Sequence, residues 1–123
     1  MEIMKTNIRK IEMKSKEIEA KGIKFYREDG GVEVARATLY VLKNDLHDGP
    51  FGLMEDVFVE ESLRGQGVGS ELVGMVVAEA QRQKCYKLIC TSRYSRGDVH
   101  KLYEKLGFVK HGEEFRMDFR GES

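Results

Sequence analysis

A strand-like run, "GLMEDVFV" (residues 52–59), leads into a glycine-rich turn, "RGQGVGS" (Arg64 to Ser70), and the turn runs straight on into "SELVGMVVAEAQRQ". In that last stretch Leu72, Val73, Val76, Val77 and Ala80 fall along one helical stripe. Strand, glycine turn and amphipathic helix in immediate succession leave few ways to fold. The helix must lay its stripe on a sheet that contains the strand, so an α/β domain is expected. The turn then stands at the carboxyl end of that strand, where open α/β sheets bind ligands.

The flanks fill in the sheet. "IKFYRED" reads as a strand, Gly30–Gly31 as a hairpin, "VEVARATLYVL" as a longer alternating strand and "KNDLHDGP" as a loop. Beyond the helix, "YKLICTS" is apolar without alternation, which predicts a strand covered on both faces. "SRYSRG" is a loop, and "DVHKLYEKLG" is a short helix with Asp98 as N-cap and Gly107 just past its end. "FVKHGE" and "EFRMDF" read as two closing strands, and the first twenty residues fit either a strand around Ile8 to Met13 or a solvated short helix. The expected sheet is mixed, mostly antiparallel, with one parallel βαβ crossover.

Composition narrows the partners. A chain of 123 residues is expected to form one domain, 1–123, with a core of its own. Its 21 basic residues cancel its 21 acidic ones, which argues against attraction to nucleic acid or to an anionic membrane. No apolar run approaches the ~20 residues of a membrane span and no secretory leader is evident, so a cytoplasmic protein is expected. Cys85 and Cys90 form neither a disulfide framework nor a metal half-site, and with three scattered histidines no metal is expected. Both thiols read as small buried hydrophobes rather than acyl-carrying nucleophiles.

The turn itself looks built for phosphate. Glycines let successive backbone N–H groups approach a pyrophosphate, and a helix opening near Gly69 aims its free amides at the same anion. A nucleotide-hydrolysing loop would place a lysine after the last glycine, but Ser70 follows Gly69 directly. A dinucleotide fingerprint would put a third glycine at Ser70 and an acid after the next strand, near Cys90 to Ser92. What does fit is Arg64-x-x-Gly67-x-Gly69.

That spacing after "EDVFV", followed by the helix, the buried strand and "LYEKLGF", resembles the GCN5-related N-acetyltransferase (GNAT) superfamily. The resemblance is firm over Leu53 to Phe108, the expected acetyl-CoA-binding core, and looser over the strands before it. It implies an acetyl-CoA-dependent N-acetyltransferase in which a primary amine attacks directly within a ternary complex, with coenzyme A as cosubstrate and no metal. By the resemblance, Arg64, Gly65, Gln66, Gly67, Val68, Gly69 and Ser70 hold the pyrophosphate. Backbone amides of Val57, Phe58 and Val59 meet the pantetheine arm and the thioester carbonyl, where the strands holding "MEDVFV" and "KLICTS" splay apart. Tyr103 matches the tyrosine beside the coenzyme sulfur.

The acceptor side is less determined. The amine must lose a proton before attack, and Glu55 is the preferred base because alternation puts it on one face with Leu53, Val57 and Val59. Asp56 should point the other way unless a bulge intervenes. Thr91, Ser92 and Arg96 are placed to touch acceptor or cofactor, with Arg96 assigned to the cofactor, whereas Arg93 reads as solvated loop and His100 as either helix surface or site. "EDVFV", "RGQGVG", "CYKLI" and "YEKLGF" are similar to the glucosamine 6-phosphate N-acetyltransferases, but Thr91 stands where that subfamily carries an aspartate. The pattern Ser92, Arg96, His100, Tyr103 resembles instead small members with varied acceptors. Between Met13 and Ile23 there is room for one short helix at most, a reduced N-terminal region. That implies an open acceptor cleft, a larger acceptor such as a protein amine, or a second subunit completing the wall in a homodimer that exchanges "EFRMDF"; the acceptor expected is a small-molecule or peptide amine. The alternative function is a CoA-binding regulatory or interaction module of the same fold.

Overall fold

The computed structural model describes residues 11–45, 47–92 and 96–120. The chain forms β1 (Lys21–Asp29), β2 (Val32–Leu42), β3 (Phe51–Val59), a 3-10 turn (Glu61–Leu63), α1 (Val68–Arg82), β4 (Leu88–Ile89) and α2 (Gly97–Lys105). Sheet order follows chain order, β1-β2-β3-β4. The first two pairings are antiparallel and β3–β4 is parallel, which is the mixed sheet with one crossover that the sequence implies. At the first hairpin Gly30 and Gly31 both hold positive φ, 60° and 83°, as a tight turn between twisted strands requires.

The core lies between the sheet and α1. Ala35, Ala37 and Leu39 alternate along β2 and are fully buried, and the two alanines let the helix come close. Onto them α1 lays Val68, Leu72, Val73, Val76 and Ala80. Burying each of the larger of these side chains contributes about 1.5–3 kcal/mol.

A bulge in β3 sets the geometry of everything downstream. Leu39 faces Met54 and Thr38 faces Glu55, but Arg36 then faces Phe58 and Ala35 faces Val59. One extra residue has entered β3 between these pairs, and Asp56 sits there with φ of +55°. Paired residues share a face, so Val59 joins Met54 on the helix side while Phe58 joins Glu55 on the other. Val57 packs against the core with Val59. Glu55 therefore does not share a face with Val57 and Val59, as strict alternation would have it; it shares one with Leu53, Thr38 and Arg36.

The second strand of the crossover is shorter than its apolar run. Gly52 N–H donates to Lys87 O at 2.8 Å, and only the pairs Gly52–Leu88 and Leu53–Ile89 form. Beyond them β3 runs on to Val59 with β2 as its only neighbour, so β4 ends early and Ile89 is left exposed.

At α2 the N-cap is Arg96 rather than Asp98. Asp98 lies inside the first turn of the helix, where its carboxylate faces the positive end of the dipole and Arg96 holds its carboxyl below the usual aspartate pKa range. The far end stops where expected. Gly107 takes φ of +102°, its N–H donates to Glu104 O at 3.1 Å, and Phe108 N–H donates to Tyr103 O at 3.0 Å. This pair of bonds is the glycine-terminated stop known as a Schellman motif.

The two closing strands do not form: among the described residues nothing after Lys105 is helix or strand. A strand needs an edge to pair with, and an alternating pattern supplies only one of the two partners. Residues 11–20 likewise carry neither helix nor strand. Ile8, where the alternative first strand would begin, lies outside the described residues.

Candidate active site

The carboxyl end of β3 and the start of α1 are joined by a braced turn. Glu60 N–H donates to Val34 O at 2.8 Å, which ends the β2–β3 ladder. The Glu60 carboxylate then accepts from the Ser62 N–H (3.2 Å) and its hydroxyl. Gly65 and Gly67 follow with φ of 80° and 84°. A Cβ at either would meet nothing within 4 Å, so it is backbone conformation and not crowding that calls for glycine here. Glu71 N–H donates to Gly67 O at 3.0 Å and opens α1, with no side chain capping the helix. The amides of Val68, Gly69 and Ser70 consequently stand at the positive end of the helix without intrahelical partners. An anion with several oxygens fits that arrangement.

Side chains hold the turn from outside. Arg64 Nε donates to Val59 O at 3.1 Å, and Gln66 Nε2 donates to Ser62 O at 3.0 Å. The other nitrogens of the Arg64 guanidinium bond nothing else among the described residues, and the residue is exposed. It joins strand end to turn while keeping positive charge in solvent.

The gap between β3 and β4 presents main chain. Because Glu60 bonds toward β2, alternation turns Phe58 the same way and sets the Val57 and Val59 amides on the opposite edge. That edge has no β4 partner. Of the three strand residues expected to offer amides, Val57 and Val59 lie on the open edge and Phe58 does not.

α2 closes the site. A Cβ on Gly69 would lie 3.5 Å from Leu102 and 3.8 Å from Val59, so α2, the first turn of α1 and the end of β3 meet there. Tyr103, next along α2, is buried to 9% exposure and packs on Phe108 with ring centroids 5.5 Å apart. Burial first, then the neighbouring Cys90, raises the Tyr103 hydroxyl to about 12; Glu55 adds to the rise and Arg96 opposes it. Cys90 is raised to about 11, by burial and then by Glu55. Cys90, Arg96 and Glu55 thus all lie within electrostatic reach of the Tyr103 hydroxyl. A thiol so raised stays protonated, consistent with Cys90 as a partly buried hydrophobe that packs on the core.

The two carboxylates on β3 separate in role. Asp56 accepts from Arg36 Nε at 2.7 Å and Nη2 at 3.1 Å, and this pairing holds it below the usual aspartate range. Glu55 is exposed and makes no hydrogen bond or ion pair among the described residues. Of the two, it is the carboxylate left unpaired among the described residues. His100 and Ser92 are half-buried, Thr91 is exposed, and Arg93 lies outside the described residues. Sequence reasoning missed Arg36. The available signal was an arginine in an otherwise apolar stretch of β2, "VARAT", that must face β3 at "EDVF".

Comparison with known proteins follows the same lines. The family model described as "Acetyltransferase (GNAT) family" matches residues 5–108. The chain belongs to the GNAT acetyltransferase family. It is 44% identical over 68 residues to a glucosamine 6-phosphate N-acetyltransferase of Trypanosoma brucei brucei, a match covering 54% of this chain and 44% of that protein. The chain spans about half the length of the curated relatives it matches. Among solved structures, a Trypanosoma brucei acetyltransferase superposes with a TM-score of 0.71 at 27% identity, covering 96% of this chain and 76% of that one. An aminoglycoside N-acetyltransferase in complex with CoA shares the fold, with a TM-score of 0.64 at 21% identity over 79% of this chain and 75% of its own.

Proposed function

We propose that the protein is an acetyl-CoA-dependent N-acetyltransferase that passes an acetyl group to a primary amine by direct attack in a ternary complex. One observation carries the reading: an uncapped glycine turn, an unpaired strand edge and a buried tyrosine converge where Gly69, Val59 and Leu102 meet. The turn and the amides of Val68, Gly69 and Ser70 would hold the pyrophosphate, with Arg64 adding charge. The Val57 and Val59 amides would bond the pantetheine arm as an added strand does and polarise the thioester carbonyl.

When bound, acetyl-CoA supplies an activated acyl group; the amine nitrogen bonds to its carbonyl carbon and the carbon–sulfur bond breaks. Glu55 accepts the proton that the amine sheds. Tyr103 stays protonated at neutral pH because its hydroxyl titrates near 12. An ordinary thiol titrates near ~8.5, so complete proton transfer from Tyr103 to the leaving thiolate runs uphill. Its stronger contribution is a hydrogen bond donated to the sulfur as negative charge grows there. Arg96, at the start of α2, would face the cofactor from the other side.

The relatives favour an amine on a small polar molecule as acceptor. We propose further that the protein works as a homodimer, supported by the apolar alternation Phe115, Met117, Phe119 in a segment left outside its own sheet.

The test is thermal stabilisation by acetyl-CoA, CoA, ATP and NAD, followed by acetyl-CoA consumption over amino sugars, glucosamine 6-phosphate first, then polyamines, aminoglycosides and peptide amines. Stabilisation by both CoA species and turnover on at least one amine are expected. Stabilisation by ATP or NAD alone would remove the reading. CoA binding without turnover on any amine would leave a regulatory module instead.

A further inference from the structure

One side chain on the uncovered face of the sheet has every part of its head group engaged. Arg36 gives Nε and Nη2 to the two oxygens of Asp56, at 2.7 and 3.1 Å, and Nη1 to Glu33 at 3.3 Å. Its guanidinium carbon stands 4.7 Å from the centre of the Phe58 ring. Glu33 is in turn held by Lys24 at 2.5 Å. Arg36 thus grips β3 on both sides of Val57, at the bulge residue and at its own cross-strand partner. Such a two-pronged pair has a geometry that a lysine cannot reproduce.

The gripped residue is strained. Asp56 and Lys84 are the only non-glycine residues with positive φ among those described, a conformation that the Cβ of an L-residue disfavours. That strain falls at the residue that reverses the parity of β3. Without the bulge, Phe58 and Val59 would exchange faces and the Val59 amide would turn from the gap toward β2. The conformation of Asp56 and the amide edge rise or fall together.

We infer that Arg36 is a positioning residue for acetyl transfer: by holding Asp56 in its left-handed conformation it fixes the bulge that aims the Val57 and Val59 amides at the acetyl-CoA arm. This rests on the cofactor reading above. It explains why a strand covered by α1 on one side carries a fully engaged arginine on the other. It also gives Asp56 a role distinct from the proton acceptor one residue earlier.

Glycine adopts positive φ without the strain, so Asp56→Gly should make the grip dispensable. The experiment is an acetyl-CoA titration of ¹⁵N-labelled wild type, Arg36→Met, Asp56→Gly and the double variant, reading affinity and individual amide shifts. Arg36→Met should weaken acetyl-CoA about 10-fold, the worth of roughly one or two backbone hydrogen bonds. Acetyl-CoA should then no longer shift the Val57 and Val59 amides, while its effect on Gly65 to Gly69 persists, a split that mere loss of stability would not produce. Asp56→Gly and the double variant should both bind close to wild type. Should Arg36→Met not fold, Arg36→Lys carries the same expectation.

Unchanged affinity and unchanged Val57 and Val59 shifts in the arginine variant would overturn the inference. So would a double variant as weak as Arg36→Met. A wild type that binds no acetyl-CoA would instead remove the cofactor reading and this inference with it.

Discussion

Tyr103 is where, on the proposed reading, one residue would serve both fold and chemistry. It is the third residue from the end of α2, its carbonyl accepts the Phe108 N–H that stops the helix, and its ring rests on Phe108. The helix stop and the ring's position are therefore one structure. Tyr103→Phe keeps the ring and removes only the hydroxyl, so folding and acetyl-CoA affinity should be retained. The lost hydrogen bond to a charged sulfur is worth ~1.5–3 kcal/mol, so kcat should fall roughly 10- to 150-fold. Steady-state kinetics on whichever amine is turned over would show it, and an unchanged kcat would hand the role to water. Tyr103 and the glycine turn stood out in the sequence because "LYEKLGF" and Arg64-x-x-Gly67-x-Gly69 resemble two family motifs in the family's order. The faces of Glu55 and Asp56 were not, since a bulge needs a φ that aspartate merely tolerates and an arginine 20 positions upstream to hold it.

Among the elements, α1 was fully legible: a stripe of period 3.6 specifies a helix and the face it buries. Its far end adds a measurable consequence. Glu79 accepts from Arg82 Nε at 3.0 Å and from Gln83 Nε2 at 2.7 Å, which lowers its carboxyl to about 2. Since its folded value lies below the unfolded one near 4.5, the stabilisation is complete above pH 4.5 and lost as pH falls toward 2. Melting temperature against pH should therefore be lower for Glu79→Gln than for wild type at neutral pH, with the two curves converging near pH 2. A constant offset across that window would contradict it. β4 was less legible because apolar residues mark burial and not pairing. "YKLICTS" carries an apolar run, Leu88 to Cys90, yet the ladder with β3 stops at Leu53–Ile89.

The whole molecule leaves a good deal of apolar surface outside its core. Ile11, Met13 and Ile18 before the sheet, and Val109, Phe115, Met117 and Phe119 after α2, are each at least 64% exposed. Large contiguous apolar patches mark interaction sites, and on the proposed homodimer these two segments supply one. If a second copy covers it, sedimentation or light scattering should give twice the monomer mass. Phe115→Ser with Phe119→Ser should return the monomer without unfolding the ten-residue core, to which neither side chain belongs. A monomeric wild type would rule the homodimer out. The sequence pattern marked this segment as strand-forming but could not supply its partner.

The early parting of β3 and β4 bears on cooperativity. β4 is laddered to the rest of the sheet only at Gly52 and Leu53, while Leu88, Cys90 and the side chains of α2 reach the core by packing. A ligand bonding to the exposed amides and touching α2 would act as a keystone, adding backbone hydrogen bonds where side-chain packing alone spans the gap. Calorimetry should then find not only a higher melting temperature with acetyl-CoA but a sharper transition, as two portions that loosen separately come to melt as one.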